Sequence, residues 1–413
     1  MRCLRFTKFW RLRDGNATDV EYGTTGRRGL SDSRMGVRKS GASTLKKIGK
    51  MPIGNLGPKM RRRDERTELL FPEMSQNPWL TKPGKRIGAN GTRRMCGLTT
   101  LELCAGAGGQ ALGFEQAGIE HAGLVELDKS ACATLRLNRP GWKVFEQDLN
   151  DFDGVDFKGV DIISGGLPCP PFSVAGKQLG TKDERNLFPA MIRLVDQIRP
   201  KAVMIENVRG ILDAVFIDYR LYIRDQLKKL GYKTGWKLMN ASEFGVSQLR
   251  PRVVFVGLRE EYAERFAWPE GDGLRPVTVG YKLYDLMAAN GWKRVEAWRN
   301  GADEIAPTVV GGSHKHGGPD LGPTRARKAW ATLGVDGLGI ADDAPGSDFC
   351  GMPRLTVRMV ARIQGFPDDW QFYGKKTAAY RQVGNAFPPP FARAVAEKLR
   401  TCLNVSRLVR VAG

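Results

Sequence analysis

The sequence predicts an α/β fold in which short apolar strands alternate with amphipathic helices. Three observations lead to this prediction. Between residues 98 and 257, short apolar runs bounded by Gly and Pro alternate with segments of helical period. The first run leads directly into a Gly-rich turn at 104–109. Residues 263–375 interrupt the alternation, which indicates a second, irregular domain.

The charge of the chain is concentrated in its first segment. The formal net charge is +21 over 413 residues, and residues 1–95 hold 23 Lys+Arg against 8 Asp+Glu, or +15. This segment has no sustained period and is predicted to be disordered. It is an arm that contacts phosphates without specificity, a solvated tail, or a segment translated upstream of a true start near Met74.

Cysteine usage and hydropathy favour a soluble, intracellular, cytoplasmic protein. The seven cysteines are scattered, odd in number and without CxxC pairs, which argues against a disulfide framework or a zinc site. No apolar run reaches the roughly 18 residues of a membrane span, and the N-terminus lacks the apolar core of a signal peptide.

The first strand and turn resemble the start of a nucleotide-binding sheet. A strand at 98–103 precedes Gly106 and Gly108, which allow the backbone to approach a ligand, and a helix follows from Gln110. The second strand ends at Glu126 and the third ends near Asp148, so both acids are expected at the ligand edge. The alternatives without a ligand-binding role are a turn that needs glycine only for its geometry and two acids in solvated loops.

The fourth strand ends before a turn that contains Pro168 and Cys169. A lone cysteine is usually a small buried hydrophobe, but this position at the carboxyl end of a strand is where chemistry is placed in such sheets. The fifth strand, 202–205, brings Glu206 to the same edge. Paired strands are expected at 236–239 and 253–257, with Arg250 and Arg252 between them.

The remaining segments complete the expected domain organisation. Two histidines, His314 and His316, lie in a Gly-rich basic stretch, but without nearby Cys ligands they do not make a metal site, and no metal is expected. A last helix starts after Gly384 and places Phe391, Val395 and Leu399 on one face. The expected divisions are a tail at 1–95, a catalytic domain at 96–262, a second domain at 263–375 and a returning C-terminal helix at 376–413.

Six motifs in order resemble the DNA cytosine-5 methyltransferase family over about residues 98–405. They are the Gly-rich turn, the Pro-Cys turn, Glu206-Asn207-Val208, the Arg250-x-Arg252 pair, Gln364-Gly365-Phe366-Pro367, and Gly384-Asn385-Ala386 leading to the proline-rich helix start. The resemblance implies a Rossmann-like S-adenosylmethionine-dependent methyltransferase sheet with a smaller irregular target-recognition domain.

The resemblance also implies roles for the catalytic residues. Cytosine carbon 5 is a poor nucleophile, so the Cys169 thiolate adds to carbon 6 and converts the ring to an enamine. Arg250 or Arg252 favours the thiolate electrostatically. Glu206 hydrogen-bonds or protonates ring N3. The motifs do not identify the base that removes the carbon 5 proton.

The cofactor implied by the resemblance is S-adenosylmethionine. Its implied contacts are the turn, the ribose acid Glu126, the adenine neighbours and the residues that close the pocket: Cys104, Gly106, Ala107, Gly109, Glu126, Asp148, Leu149, Pro168, Leu187, Asn385 and Phe387. Two positions depart from the family pattern. Cys104 stands where Phe is frequent, and Met359 stands where an acid is common, which puts a structural ion pair in question.

The implied partner is double-stranded DNA, from which the target cytosine is flipped. We further expect a monomer, association with the nucleoid, and a possible cognate restriction endonuclease. The alternatives are an RNA cytosine-5 methyltransferase and a catalytically silent DNA-binding protein of the same fold. A dinucleotide-dependent oxidoreductase would share the first strand and turn but not the later motifs.

Overall fold

The computed structural model describes residues 97–168, 186–312 and 318–409, with side chains described as far as residue 404 in the last helix. All of these residues fall within one unit of the chain, Asn90–Gly413. The predicted basic tail, residues 1–95, lies outside the described residues.

Five parallel strands form the first part of the central sheet, and the strands predicted from apolar runs are confirmed. They are β1 (Thr99–Leu103), β2 (Glu120–Glu126), β3 (Val144–Glu146), β4 (Ile162–Gly166) and β5 (Ala202–Val208). Their order is β3-β2-β1-β4-β5, so the direction of winding reverses between β1 and β4. In α/β sheets this switch point is where ligands bind.

Two antiparallel strands extend the sheet beyond β5. They are β6 (Tyr232–Asn240) and β7 (Pro251–Arg259), and β7 lies between β5 and β6. Both are longer than the predicted paired strands at 236–239 and 253–257. In the antiparallel register, Val208 on β5 lies opposite Arg252 on β7, so the ends of the Glu206 and Arg252 segments are neighbours.

Helices cover both faces of the sheet, as expected from strands that are apolar on both sides. On the catalytic part these are α1 (Gly109–Gln116), α2 (Lys129–Asn138), α3 (Phe188–Ile198), α4 (Ile217–Lys229) and α5 (Glu260–Ala263). One core layer joins Leu101 and Leu103 to α3 and α4. The other joins Ile162 and Met204 to α1 and the last helix.

Within the described part of segment 263–375, there are four helices that the sequence prediction of an irregular domain did not include. They are α6 (Val279–Ala288), α7 (Val295–Gly301), α8 (Thr324–Ala331) and α9 (Val357–Gln364). Their shared core is built on large aromatic side chains, among them Trp292, Trp298, Trp330 and Trp370. Sequence periodicity missed these helices because they are short and separated by long loops.

Helices on the C-terminal side of the predicted boundary at 375/376, which stays a prediction, pack against both segments. Helix α10 (Lys376–Asn385) contributes Tyr380 and Val383 to the core of the second segment. Helix α11 (Pro389–Val409) returns to the sheet, with Phe391, Val395 and Leu399 buried as predicted. Among the described residues, no helix is long and apolar enough to span a membrane.

Candidate active site

The carboxyl ends of the parallel strands bring predicted site residues to one edge of the sheet. Cys104 follows β1, Glu126 ends β2 and Asp148 lies just beyond β3. Pro168 follows β4, and Glu206 lies near the carboxyl end of β5. This edge contains the switch point between β1 and β4, so the fold places the predicted residues where ligands bind in such sheets.

The turn after β1 has a left-handed backbone at three positions. The φ angles are 53° at Cys104, 54° at Gly106 and 83° at Gly108. Glycine accepts this conformation without strain, whereas Cys104 is an uncommon non-glycine case. A Cβ added at Gly106 would meet no atom within 4 Å, so the turn exposes its backbone to open space. A ligand can therefore approach the main chain closely at Gly106.

The carboxyl of Glu126 is fixed to this turn by backbone donors. The Gly106 N–H donates to Oε2 at 2.7 Å, and the Leu127 and Asp128 N–H groups donate to Oε1 at 2.9 and 2.8 Å. Burial raises the pKa of Glu126, while these backbone hydrogen bonds oppose the rise. The acid expected to meet a ribose is thus held at the ligand side of the turn.

The Cys104 thiol is buried beside two acids. Burial raises the pKa of Cys104 well above its usual value, and the charges of Glu126 and Asp148 raise it further. Because a thiolate is the reactive form of cysteine, Cys104 is not a nucleophile at neutral pH. Asp148 itself accepts a hydrogen bond from the Asn150 N–H at 2.9 Å, and Leu149 is buried beside it.

The segments that precede and follow α10 cover the turn. A Cβ added at Gly109 would lie 2.3 Å from the Phe387 carbonyl oxygen and 3.1 Å from the Phe366 ring. The indole Nε1–H of Trp370 donates to the Ala107 carbonyl at 3.1 Å. The prediction placed Phe387 at this site, whereas it did not include Trp370.

Glu206 forms an ion pair with Arg252. Arg252 Nε lies 2.7 Å from Glu206 Oε1, and the two side chains are 13% and 9% exposed. A Cβ added at Gly166 would lie 3.4 Å from Glu206 Oε2, so the carboxyl also faces the end of β4. Cys169, which follows this strand end, lies outside the described residues.

Arg250 donates to backbone carbonyls of distant segments, while its expected effect on the Cys169 thiolate falls outside the described residues and stays a prediction. Its guanidinium donates to the carbonyl oxygens of Val309, Gly384 and Ala386 at 2.7, 2.9 and 3.0 Å, and the residue is 1% exposed. It joins the start of β7 to the second segment and to the α10–α11 joint. Arg252, rather than Arg250, meets the predicted acid.

The remaining predicted pocket residues lie on the borders of this edge. Leu187 is half-buried immediately before α3 and packs on the sheet core. Asn385, at the end of α10, is exposed and its Nδ2 donates to the Gly312 carbonyl at 3.2 Å. The structure therefore joins Asn385 to a loop of the second segment.

In the part of the chain that the structure describes, no group of three or more His, Cys, Asp or Glu side chains is arranged to hold a metal ion. His314 and His316 lie outside the described residues.

The geometry agrees with a family comparison. The sequence model of the family described as C-5 cytosine-specific DNA methylase matches residues 98–316 and 323–401. The chain belongs to this C-5 cytosine-specific DNA methylase family. The predicted family, and with it a DNA cytosine-5 methyltransferase that uses S-adenosylmethionine and acts on double-stranded DNA, is confirmed.

Similar proteins share most of this C-5 cytosine-specific DNA methylase. Type II methyltransferase M.NgoMIV of Neisseria gonorrhoeae is 55% identical over 304 residues, which cover 73% of this chain and 96% of the relative. Type II methyltransferase M.NaeI of Lentzea aerocolonigenes is 52% identical over 317 residues, covering 75% and 76%. The solved Entamoeba histolytica methyltransferase EhMeth has a TM-score of 0.52 at 14% identity and covers 73% of this chain and 98% of its own, a likeness of fold alone.

The turn of this methylase fits S-adenosylmethionine. Open space above Gly106 leaves room for a ligand against the backbone, and Glu126 offers a fixed carboxyl to ribose hydroxyls. Asp148 and Leu149 lie beyond β3, where the adenine is expected. The predicted Rossmann-like methyltransferase fold is confirmed, and the individual contacts stay predictions.

Sequence reasoning missed a buried polar network that supports the site. Gln248 donates to Gln364, which in turn donates to the Val383 and Ala386 carbonyls at 3.0 Å. Both glutamines are fully buried. Gln364 belongs to one of the family motifs and Gln248 lies just before another, but only the fold shows that they pair across the two segments.

Proposed function

We propose that this DNA cytosine-5 methyltransferase is the modification enzyme of a restriction–modification system, methylating cytosine within one specific duplex sequence. Relatives named as Type II methyltransferases, one of them aligned over 96% of its length at 55% identity, support this proposal. The structural observation that supports it best is the buried Glu206–Arg252 pair beside the strand end that leads to Cys169.

The pair fits a role in recognising and activating a cytosine ring. A buried carboxyl has oxygens that can meet ring N3 and the exocyclic amine, and Arg252 fixes its orientation. Asn207 Nδ2 donates to the Leu167 carbonyl at 3.4 Å, which links the end of β5 to the turn that precedes Cys169. The two strand ends are thereby held in one arrangement.

In the proposed reaction, the Cys169 sulfur bonds to cytosine carbon 6, the electrons of the 5,6 double bond form a 4,5 double bond, and those of the carbon 4–N3 double bond move to N3, so that carbon 5 becomes nucleophilic. Glu206 hydrogen-bonds or protonates N3 as charge develops there. After carbon 5 is methylated, its proton leaves and the sulfur–carbon bond breaks, which restores the ring and the thiolate. Arg250 acts indirectly, by holding the second segment against β7.

The cofactor is expected to lie against the turn at Gly106 and Ala107, with Cys104 and Gly109 in its wall and its ribose at Glu126. Pro168, Leu187, Asn385 and Phe387 border the pocket. Bound S-adenosylmethionine supplies an electrophilic methyl group. The chain's own contribution is to orient the turn and to exclude water beneath Phe387 and Trp370.

The enzyme is proposed to act as a monomer on the nucleoid, in a system that also contains a cognate restriction endonuclease. Carbon 6 is hidden in a stacked duplex, so the cytosine must be flipped to reach Cys169. The helical second segment, with its basic α8 residues Arg325, Arg327 and Lys328, is the proposed reader of the target sequence.

The test is expression in a host that lacks 5-methylcytosine, followed by mapping of the modified base across the host DNA. Methylation of the same cytosine in every copy of one short sequence is expected. The Cys169→Ala variant should leave no mark while still binding the cofactor. Methylation by that variant, or modified RNA with unmodified DNA, would refute the proposal.

A duplex carrying 5-fluorocytosine at the mapped position gives a second test. Fluorine cannot leave as a cation, so the enzyme should stay covalently joined to carbon 6. A denaturation-resistant adduct is expected for the wild type and absent for Cys169→Ala.

A further inference from the structure

A buried acid lies directly behind the cofactor turn. Glu102 is in β1, two residues before Cys104, and is 1% exposed. Leu101 and Leu103 point to the opposite core layer, so Glu102 faces the side of the sheet that α1 covers. Within the described residues, neither carboxyl oxygen has a hydrogen bond of good geometry. An unpaired buried carboxylate is strongly disfavoured.

His121, on the neighbouring strand β2, faces this acid. Its Nδ1 lies 3.9 Å from Glu102 Oε2, and both side chains are 1% exposed. Its Nε2 lies 3.0 Å from the Ala111 carbonyl oxygen, and its ring packs edge-on against Trp142 at 4.7 Å. A carbonyl only accepts, so Nε2 carries the proton and Nδ1 of the neutral ring is an acceptor that faces Glu102.

The electrostatic surroundings favour the uncharged form of both groups. Burial raises the pKa of Glu102 well above its usual value; the Ala111 backbone amide opposes this rise and the charge of Glu126 adds to it. Burial lowers the pKa of His121 to about 4, although the Ala111 carbonyl and Glu115 oppose this. A neutral acid and a neutral imidazole are the pair that can share one hydrogen bond.

Glu102 Oε2 and His121 Nδ1 lie 3.9 Å apart, outside hydrogen-bond distance, and neither has a hydrogen bond of good geometry among the described residues. We propose that a proton held by Glu102 closes this gap, so that its O–H donates to His121 Nδ1 and, through the His121 Nε2–H bond to Ala111, positions the first turn of α1. Ala111 follows Gly109 by two residues on α1, and Gly108, the N-cap of this helix, makes no side-chain cap hydrogen bond. Glu102 and His121 are thus positioning residues for the cofactor turn. They act through the backbone and do not touch the cofactor.

The proposal gives cofactor binding a pH dependence of defined sign. As pH rises through the raised pKa, Glu102 ionises in the interior, where it faces the Nδ1 lone pair and the charge of Glu126. The O–H donor is lost and α1 is released from its position. Affinity for S-adenosylmethionine therefore falls at alkaline pH. Replacing Glu102 by a side chain that does not ionise removes this pH dependence.

The experiment measures the dissociation constant of S-adenosylmethionine for the full chain without DNA, by calorimetry, from about pH 6.5 to about pH 9.5. Glu102→Gln keeps a neutral donor, so it should bind within about twofold of wild type near neutrality, with a flatter pH profile. Glu102→Leu lacks the donor and should bind about tenfold more weakly throughout. Titration of the cofactor's own amine is common to all the proteins, so the difference between profiles is the readout.

Glu120→Gln is the matched control, because it makes the same carboxyl-to-amide change one residue from His121, at an exposed position of β2. It should follow the wild-type profile. A Glu102→Gln protein that is as impaired as Glu102→Leu, or that retains the wild-type pH slope, would overturn the proposal.

Nitrogen NMR of the wild-type protein gives a test that needs no substitution. The chain has three histidines, so the imidazole signals are few. His121 should be the neutral Nε2–H tautomer at neutral pH, with a hydrogen-bonded Nδ1. An imidazolium or an Nδ1–H tautomer would contradict the shared hydrogen bond.

Discussion

The Phe387 carbonyl oxygen occupies the space where a side chain at Gly109 would begin. The separation from an added Cβ would be 2.3 Å, closer than any real Cβ contact, and the neighbouring atom is backbone that cannot rotate away. This contact joins the turn after β1 to the start of α11. The cofactor turn therefore depends on a residue close to the other end of the described chain.

Gly109→Ala should separate these two segments. We expect a loss of about 3 kcal/mol in the free energy of unfolding and a weaker affinity for S-adenosylmethionine, since overpacking against backbone displaces α11. Chemical denaturation and calorimetry measure the two effects. Gly141→Ala is the control, because an added Cβ there meets nothing within 4 Å. Equal stability of the two variants would contradict the close contact.

Arg252 should matter for chemistry more than for cofactor binding. Arg252→Met leaves the buried Glu206 carboxyl without its partner, so we expect a fall in kcat of about a hundredfold and a loss of about 3 kcal/mol of stability. Arg252→Lys should recover part of both. Single-turnover methylation and cofactor titration distinguish the steps. A variant with normal kcat would remove Arg252 from the proposed site.

Arg250→Met should act through stability instead. It removes the Arg250 donor from the carbonyls of Val309, Gly384 and Ala386, of which Ala386 keeps its hydrogen bond from Gln364, and we expect a loss of about 3 kcal/mol. Well below its midpoint temperature, the folded variant should still form the covalent adduct with 5-fluorocytosine DNA. Failure to form the adduct while fully folded and cofactor-bound would assign Arg250 a direct role.

Acid should destabilise the protein through His121. Its pKa falls from 6.5 to about 4 on folding, so the stability contributed by the neutral ring is present above pH 6.5 and is lost as pH falls towards 4. The shift corresponds to about 3 kcal/mol. His121→Phe should therefore lose less stability than wild type between these pH values in urea titrations. Parallel curves for the two proteins would count against a buried neutral imidazole.

The basic segment should contribute affinity without specificity. Deletion of residues 1–73 should weaken DNA binding most at low salt and reduce the slope of log K against log salt, because its Lys and Arg residues release counterions from DNA. The methylated sequence should stay the same. A changed target sequence after the deletion would show that the segment reads bases.

Much of the sheet and its acidic edge could be predicted from the sequence. Glu126 and Glu206 end apolar runs, and parallel strands bring their carboxyl ends to one edge, so local pattern was enough to place them together. The same logic fails for Arg250 and Arg252. Positions two apart on a strand share a face, so alternation does not separate these arginines. Arg250 lies just before β7 begins, and only the packed structure tells which arginine meets Glu206.

Contacts between distant segments could not be predicted. The Trp370 indole donates a hydrogen bond to the Ala107 carbonyl. The Met359 sulfur accepts a hydrogen bond from the Thr356 N–H at 3.4 Å, in a capping box at a position where the family often has an acid. The expected loss of an ion pair at Met359 is thus accompanied by a local replacement at the start of α9. Neither contact follows from period or composition, because both depend on side-chain geometry in the folded chain.

The packing of α11 against α1 has a consequence for synthesis of the enzyme. Ribosomes make the turn at 104–109 early and the residues that cover it, Trp370 and Phe387, late. A chain that ends before Trp370 lacks this cover, so we expect it not to hold the cofactor in a closed site. Methylation activity is then expected only after residues 370–387 have been made.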